Sequence, residues 1–171
     1  EINLDDLFDE FENIVSYLEE PNANPSAFLN HYLCGFAKEK VTVALSGLGG
    51  DELFGGYNRY RALHKAVMLG KFPKAITNFI KNTLSVFPNS RMNKFSNLNR
   101  ALEKILISAD SNPEIAYNNL ISYDLQNQDR LILKQDWEDK VNSAMRLDVE
   151  YYMVDDLLAL TDKMSMTHAL E

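Results

Sequence analysis

Residues 46–57 read SGLGGDELFGGY, with glycines on both sides of two adjacent carboxylates. They follow VTVAL, an apolar β-branched run at residues 41–45. A glycine-rich loop leaving a buried strand lets backbone N–H groups approach an anion. Acids at that place, beyond the C-terminal end of a strand, lie where open α/β sheets bind ligands. Asp51 there can hold Mg²⁺, a hard cation usually shared with substrate phosphates. The plain alternative is helix capping, because a carboxylate in a first helical turn gains about 0.3–1 kcal/mol from the helix dipole. For a lone Asp-Glu pair that plain reading would be preferred.

Two common phosphate motifs are excluded. No lysine occurs between Lys40 and Lys65, so there is no G-x-x-x-x-G-K-[ST] loop. Gly47-x-Gly49 is followed by Glu52 where a dinucleotide fingerprint needs its third glycine. Ser165 and His168 lack the G-x-S-x-G elbow of a hydrolase, and a structural role is favoured. His31, His64 and His168 are dispersed, without partner cysteines for zinc. Cys34 lies on an apolar helical face and reads as core packing.

The elements that must position the loop are mostly helical. Leu4, Leu7, Phe8, Phe11, Ile14, Val15 and Leu18 recur at helical spacing, with Asn3 as N-cap and Asp5 and Asp6 in the first turn. Asn24-Pro25 starts a second helix that runs through Ala37. Val41–Leu45 is the convincing strand, apolar on both faces and therefore expected to be buried and paired. A helix should begin near Gly50. Further helices are expected over Ala75–Phe87 and Leu98–Ile107, and from Pro113 with Asn112 as cap. Polar residues Gln126 to Asp129 interrupt the pattern before Leu131. The tail from Met145 to Leu170 reads as helix with a break near Asp155 or Thr161. Tyr151 and Tyr152 read as buried or half-buried. The chain is thus predominantly helical with one or two buried strands.

A net charge of −8 leaves no general attraction to nucleic acid or anionic lipid. A single cysteine excludes a disulfide framework and fits a reducing compartment. Apolar runs are too short to span a bilayer and no signal peptide opens the chain, so the expectation is cytoplasmic. The chain enters a helical pattern directly from Glu1 and stops inside another at Glu171, which reads as an internal piece of a longer protein.

Three stretches together resemble the asparagine synthase family in its ATP-dependent synthetase domain. SGLGGDELFGGY is similar to its S-G-[DE]-G-x-D-E-[LV]-F-G-G-Y signature. EEPNANPSA (Glu19 to Ala27) is similar to D-E-P-x-x-x-P-S. DDLLALTDKMSMTHALE (Asp155 to Glu171) is similar to D-D-L-L-x-x-x-D-[RK]-x-S-M-x-H-[SA]-L-E. The helical middle carries no signature. The resemblance implies an α/β parent domain of the ATP-pyrophosphatase type, with residues 1–171 as part of it. Family members use ATP and Mg²⁺ to adenylate a carboxylate such as aspartate. Ammonia, made from glutamine by an N-terminal glutaminase domain, then displaces AMP. Carried over, Ser46 and Gly47 match nucleotide-contacting residues and Asp51 a Mg²⁺–pyrophosphate ligand; Glu52, Asp162 and Lys163 are further candidates. The expected partners are these small molecules, the glutaminase domain and a second copy of the chain.

The family has an acid where Leu48 stands. Leucine neither accepts a proton nor ligates a metal, so the acceptor carboxylate stays open. The S-G-G-x-D-S pyrophosphate loop, the lysine of a K-x-G-F context and a glutaminase cysteine nucleophile do not occur in these residues. No catalytic residue is therefore assigned, and the chain alone is expected to be inactive. The alternative is a degenerate, non-catalytic helical module that binds a partner or a nucleotide.

Overall fold

A computed structural model describes residues 10–22, 24–84, 94–122 and 137–171. Its described residues fall into two units. The first comprises Glu1–Phe54 and Leu147–Glu171, the second Gly55–Arg146.

In the first unit, α1 (Phe11–Leu18) buries Ile14 and Leu18, one helical turn apart. Leu4, Leu7 and Phe8, with the Asn3 cap and the acids Asp5 and Asp6, lie outside the described residues. α2 (Ser26–Lys38) begins one residue later than Pro25. The Asn24 side-chain oxygen nonetheless accepts from the Ser26 N–H at 3.0 Å. A short α3 (Gly50–Phe54) follows the glycine loop, as its position in the sequence predicts. The chain returns as a π-helical segment, π1 (Asp148–Leu158), and closes with α9 (Ala159–Met166). The core joins Ile14 and Leu18 of α1, Ala27 of α2, and Leu160 and Met164 of α9, with Phe28 packed against them. Phe28 stacks on Phe11 with ring centroids 5.4 Å apart. Each fully buried large aliphatic side chain here contributes about 1.5–3 kcal/mol.

The expected buried strand is corrected. Val41–Leu45 is exposed, Leu45 fully so, and no strand occurs among the described residues. Three backbone bonds hold the segment: Val41 N–H to the Ala37 carbonyl at 2.9 Å, Ala44 N–H to the Glu171 carbonyl at 2.6 Å and Glu171 N–H to the Thr42 carbonyl at 3.1 Å. A strand buried on both faces needs neighbouring strands and layers above and below. Among the described residues, the segment bonds only to the Glu171 backbone and, at its start, to the Ala37 carbonyl, which is not a ladder.

In the second unit, α4 (Asn58–Gly70) buries Tyr60, Leu63, Ala66 and Val67 on one stripe. It packs on α6 (Lys94–Ile107) and α7 (Pro113–Ile121), while α5 (Lys74–Leu84) packs on α6. Tyr60 and Tyr117 stack at 6.5 Å, and Trp137 is 6.2 Å from Tyr117. Asn112 caps α7 by accepting from the Glu114 N–H at 2.9 Å, and Pro113 opens its first turn. α8 (Lys140–Leu147) leads back to the first unit. The expected break near Asp155 or Thr161 is not present. The helical path continues there in the wider π1 geometry, with Tyr151 and Tyr152 half-buried. Residues 85–87 of the expected second-unit helix, and Gln126 to Leu131, lie outside the described residues.

Candidate functional site

The loop from Ser46 to α3 turns on its glycines. Gly49 holds φ +84°, a conformation that L side chains rarely adopt, and a Cβ there would meet Met153 Sδ of π1 at 3.2 Å. Its carbonyl accepts from the Leu53 N–H at 3.0 Å, which starts α3. Gly47 and Gly50 are different: a Cβ on either would meet nothing within 4 Å. Packing does not demand glycine at those two positions, and their bare backbone faces open space. The Ser46 side chain is exposed, its oxygen accepting from the Leu48 N–H at 3.4 Å.

The two acids separate. Asp51 is exposed and makes no side-chain hydrogen bond or ion pair among the described residues. Glu52, next to it, is 1 % exposed and faces the interior, where α3 packs on π1. One full helical step separates solvent from core here, since adjacent positions on a helix point about 100° apart. Leu48, where an acid stands in the resembling family, is 39 % exposed at the loop surface.

Could Asp51 serve Mg²⁺? Among the described residues no group of three or more His, Cys, Asp or Glu side chains is arranged to hold a metal. Mg²⁺ needs no such cage, because it keeps waters and commonly takes only one or two carboxylates plus phosphate oxygens. A solvent-facing, unshared carboxylate beside an open backbone fits that mode. It does not fit a preformed structural metal site.

Asp162 and Lys163 are not brought to the loop by any hydrogen bond or ion pair among the described residues. Lys163 Nζ donates to the Leu18 carbonyl at the end of α1 and pairs with Glu19 at 3.7 Å and Glu20 at 3.8 Å. A cation on the last carbonyls of a helix is favourable for the dipole, which gives Lys163 a structural role here. Asp162 is exposed, and its carbonyl accepts from Ser165 Oγ. That bond keeps Ser165 in its own helix, away from any dyad with His168. Cys34 is half-buried, and burial pushes its thiol pKa upward, against nucleophilic use.

Asp156 of π1 is a residue that sequence reading did not single out. It accepts from Asn24 Nδ2 at 3.2 and 3.0 Å and from Asn22 Nδ2 at 3.4 Å. The stretch Glu19–Ser26 is therefore fastened to Asp156 and Lys163, while the glycine loop rests on Met153. Two stretches far apart in the chain, and the loop besides, meet on π1 and α9. No local spacing signals this; only the ordered recurrence of the three motifs does.

Comparisons with known proteins place the sequence in a family. The asparagine synthase family model matches residues 1–171. A glutamine-hydrolyzing asparagine synthetase of Bacillus subtilis strain 168 is 29% identical over 99% of this chain and 28% of its own length. A protein of Methanocaldococcus jannaschii, named for the same activity, is 32% identical over 72% of the chain and 23% of its length. One of Mycobacterium bovis is 42% identical over 35% of the chain and 9% of its length. The chain thus spans well under a third of the length of these relatives, and no solved structure matches it. With its three motifs gathered in one unit and the family model matched from end to end, the chain belongs to the asparagine synthase family.

Proposed function

We propose that these residues form the loop-bearing part of the synthetase domain of an ATP-dependent, glutamine-hydrolysing amidotransferase, a cytoplasmic enzyme whose parent domain is of the α/β ATP-pyrophosphatase type. In the reaction, an oxygen of a substrate carboxylate attacks the α-phosphorus of ATP, pyrophosphate leaves, and an acyl-adenylate forms. Ammonia from glutamine then attacks the acyl carbon, the acyl carbon–oxygen bond breaks with AMP taking its electron pair, and the nitrogen loses a proton to give the amide. Ser46 Oγ and the Gly47 backbone contact the nucleotide, and Asp51 holds Mg²⁺. Bound Mg²⁺ supplies positive charge that stabilises the phosphates. Leu48 accepts no proton and ligates no metal, and the acceptor is aspartate or another acid.

The observation that carries this reading is the exposed, unshared Asp51 carboxylate beside glycines whose backbone faces open space, with its neighbour Glu52 buried. The test is Asp51→Asn in the full-length protein. Its adenylation rate, followed as ATP–pyrophosphate exchange, should fall by at least about 100-fold, the loss expected for several kcal/mol of transition-state stabilisation. Its melting temperature should stay near wild type. A rate and Mg²⁺ dependence close to wild type would reduce Asp51 to a helix-end residue. The exposed Leu48 favours a second reading, a nucleotide-binding module without catalysis. Saturable ATP binding with no exchange in the wild-type protein would establish that one.

A further inference from the structure

His31 and His168 are far apart in sequence, yet their ring centroids lie 4.3 Å apart with planes inclined at 48°. His31 is buried on α2; His168 is half-buried in the turn that follows α9. That turn is held on α2 by further contacts. The Thr167 hydroxyl donates to the Met164 carbonyl at 2.7 Å. Its oxygen is then left to accept from His31 Nδ1 at 3.1 Å. This fixes the proton of neutral His31 on Nδ1 and leaves Nε2 bare, 3.9 Å from the Glu10 carboxylate. Lys38 Nζ donates to the Ala169 carbonyl. Gly35 leaves the space in which the His168 ring sits: a Cβ there would be 3.1 Å from His168 Cε1 and 3.4 Å from both ring nitrogens. Ala169, the last residue of the turn, adopts φ 51°, and beyond it Glu171 reaches its two backbone bonds with Thr42 and Ala44.

We propose that the His31–His168 pair is a pH-sensitive clasp, loosened as the two rings together take up protons, that pins the turn at residues 167–169 to α2 and, through Glu171, steadies the segment leading into the glycine loop. Two rings at this separation cannot both be charged without strong mutual repulsion. Among the described residues, the charged and titratable groups facing His31 are Glu10 at the start of α1, His168 on the turn and Tyr32 edge-on from its own helix, with Lys38 on the Ala169 carbonyl. Glu10 favours the protonated ring. Burial first, then His168, oppose it and outweigh it, so the pKa of His31 lies below that of a free histidine. The sign follows. Just below about pH 6.5, the value of an unfolded histidine, the released form binds more protons than the closed one. The clasp is therefore at full strength above that pH and weakens as the pH falls toward the lowered value. It stands on the geometry of this unit and does not depend on the ATP reading.

The test is amide hydrogen exchange on the full chain at pH 7.5 and 5.5, with protection corrected for the intrinsic pH dependence of exchange. The reporters are Leu170, whose N–H donates to the Ser165 carbonyl, and Ala44, which donates to Glu171; Ala116, bonded to Asn112 in the second unit, is the control. Protection of Leu170 and Ala44 should drop several-fold at pH 5.5, with Ala116 unchanged. His168→Gln should flatten that pH response, and so should His31→Asn, which keeps an N–H for Thr167. Equal protection at both pH values in the wild type would overturn the proposal, as would an undiminished drop in His168→Gln. Should His31→Asn not fold, the half-buried His168 carries the test alone.

Discussion

At the scale of single residues, adjacent identical charges have opposite fates, and stability measurements separate them. Glu52→Gln removes a charge that is buried, and disturbing a buried polar group costs about 1–3 kcal/mol. Asp51→Asn alters an exposed group and should change stability by less than about 0.5 kcal/mol. Urea denaturation of the two variants should show that order; the reverse order would contradict the burial of Glu52. Gly49→Ala forces a side chain into a left-handed backbone beside Met153 and should cost about 1–2 kcal/mol by the same assay. Cys34 offers a check by chemistry. Its raised pKa lowers the thiolate fraction at pH 7.5, so alkylation by iodoacetamide should be slower than for free cysteine and should quicken as the pH rises. Sequence makes the residue types at the loop plain. It does not reveal that Glu52 turns inward or that Lys163 caps α1, because both depend on elements distant in the chain.

Among the elements, those legible in the sequence are the ones whose signals are local. Asn112-Pro113 marks the start of α7 because cap and ring act within one turn. The spacing of Ile14 and Leu18 marks α1 for the same reason. Val41–Leu45 misleads, since β-branched residues report a preference that only neighbouring strands can realise. π1 has no simple sequence signal; its register follows from fastening Asp156 to Asn22 and Asn24 and seating Met153 under Gly49. Gly70, at the end of α4, shows tertiary packing overriding helix propensity. A Cβ there would lie 2.1 Å from the Asp110 carbonyl carbon and 2.4 Å from Ser111 N, both backbone atoms. In an open helix Gly→Ala gains about 0.5–1 kcal/mol. Overpacking against unyielding backbone costs about 1–3 kcal/mol, so Gly70→Ala should lower stability. A thermal melt showing stabilisation would mean that the α4 end and the Asp110 loop part easily. Asn112→Ala should cost about 1 kcal/mol through the lost cap.

On the scale of the whole molecule, chemistry and stability are unevenly shared. The second unit buries aromatic and aliphatic side chains and holds none of the candidate site residues. The first unit carries Ser46, Gly47, Asp51 and Glu52, but it also exposes Leu29, Leu33 and Phe36 of α2 with Val43, Leu45 and Phe54 around the loop. Where such exposed apolar side chains form a contiguous patch, they mark an interaction face or an aggregation liability. Adenylation needs cationic or metal-borne charge placed on both the transferred and the departing phosphates. Around the loop the described residues supply a single free carboxylate, an exposed hydroxyl and open backbone, and no cluster able to hold a metal unaided. No S-G-G-x-D-S loop occurs in these residues. Expressed by itself, the 171-residue chain should therefore fold its helices, show no ATP–pyrophosphate exchange with aspartate and Mg²⁺, and enhance the fluorescence of a dye that reports apolar surface. The full-length protein, assayed beside it, should exchange. Exchange by the chain alone at a rate near that of the full-length protein would show that Asp51 and its glycines suffice, and that the remaining phosphate-binding charge lies within these residues after all.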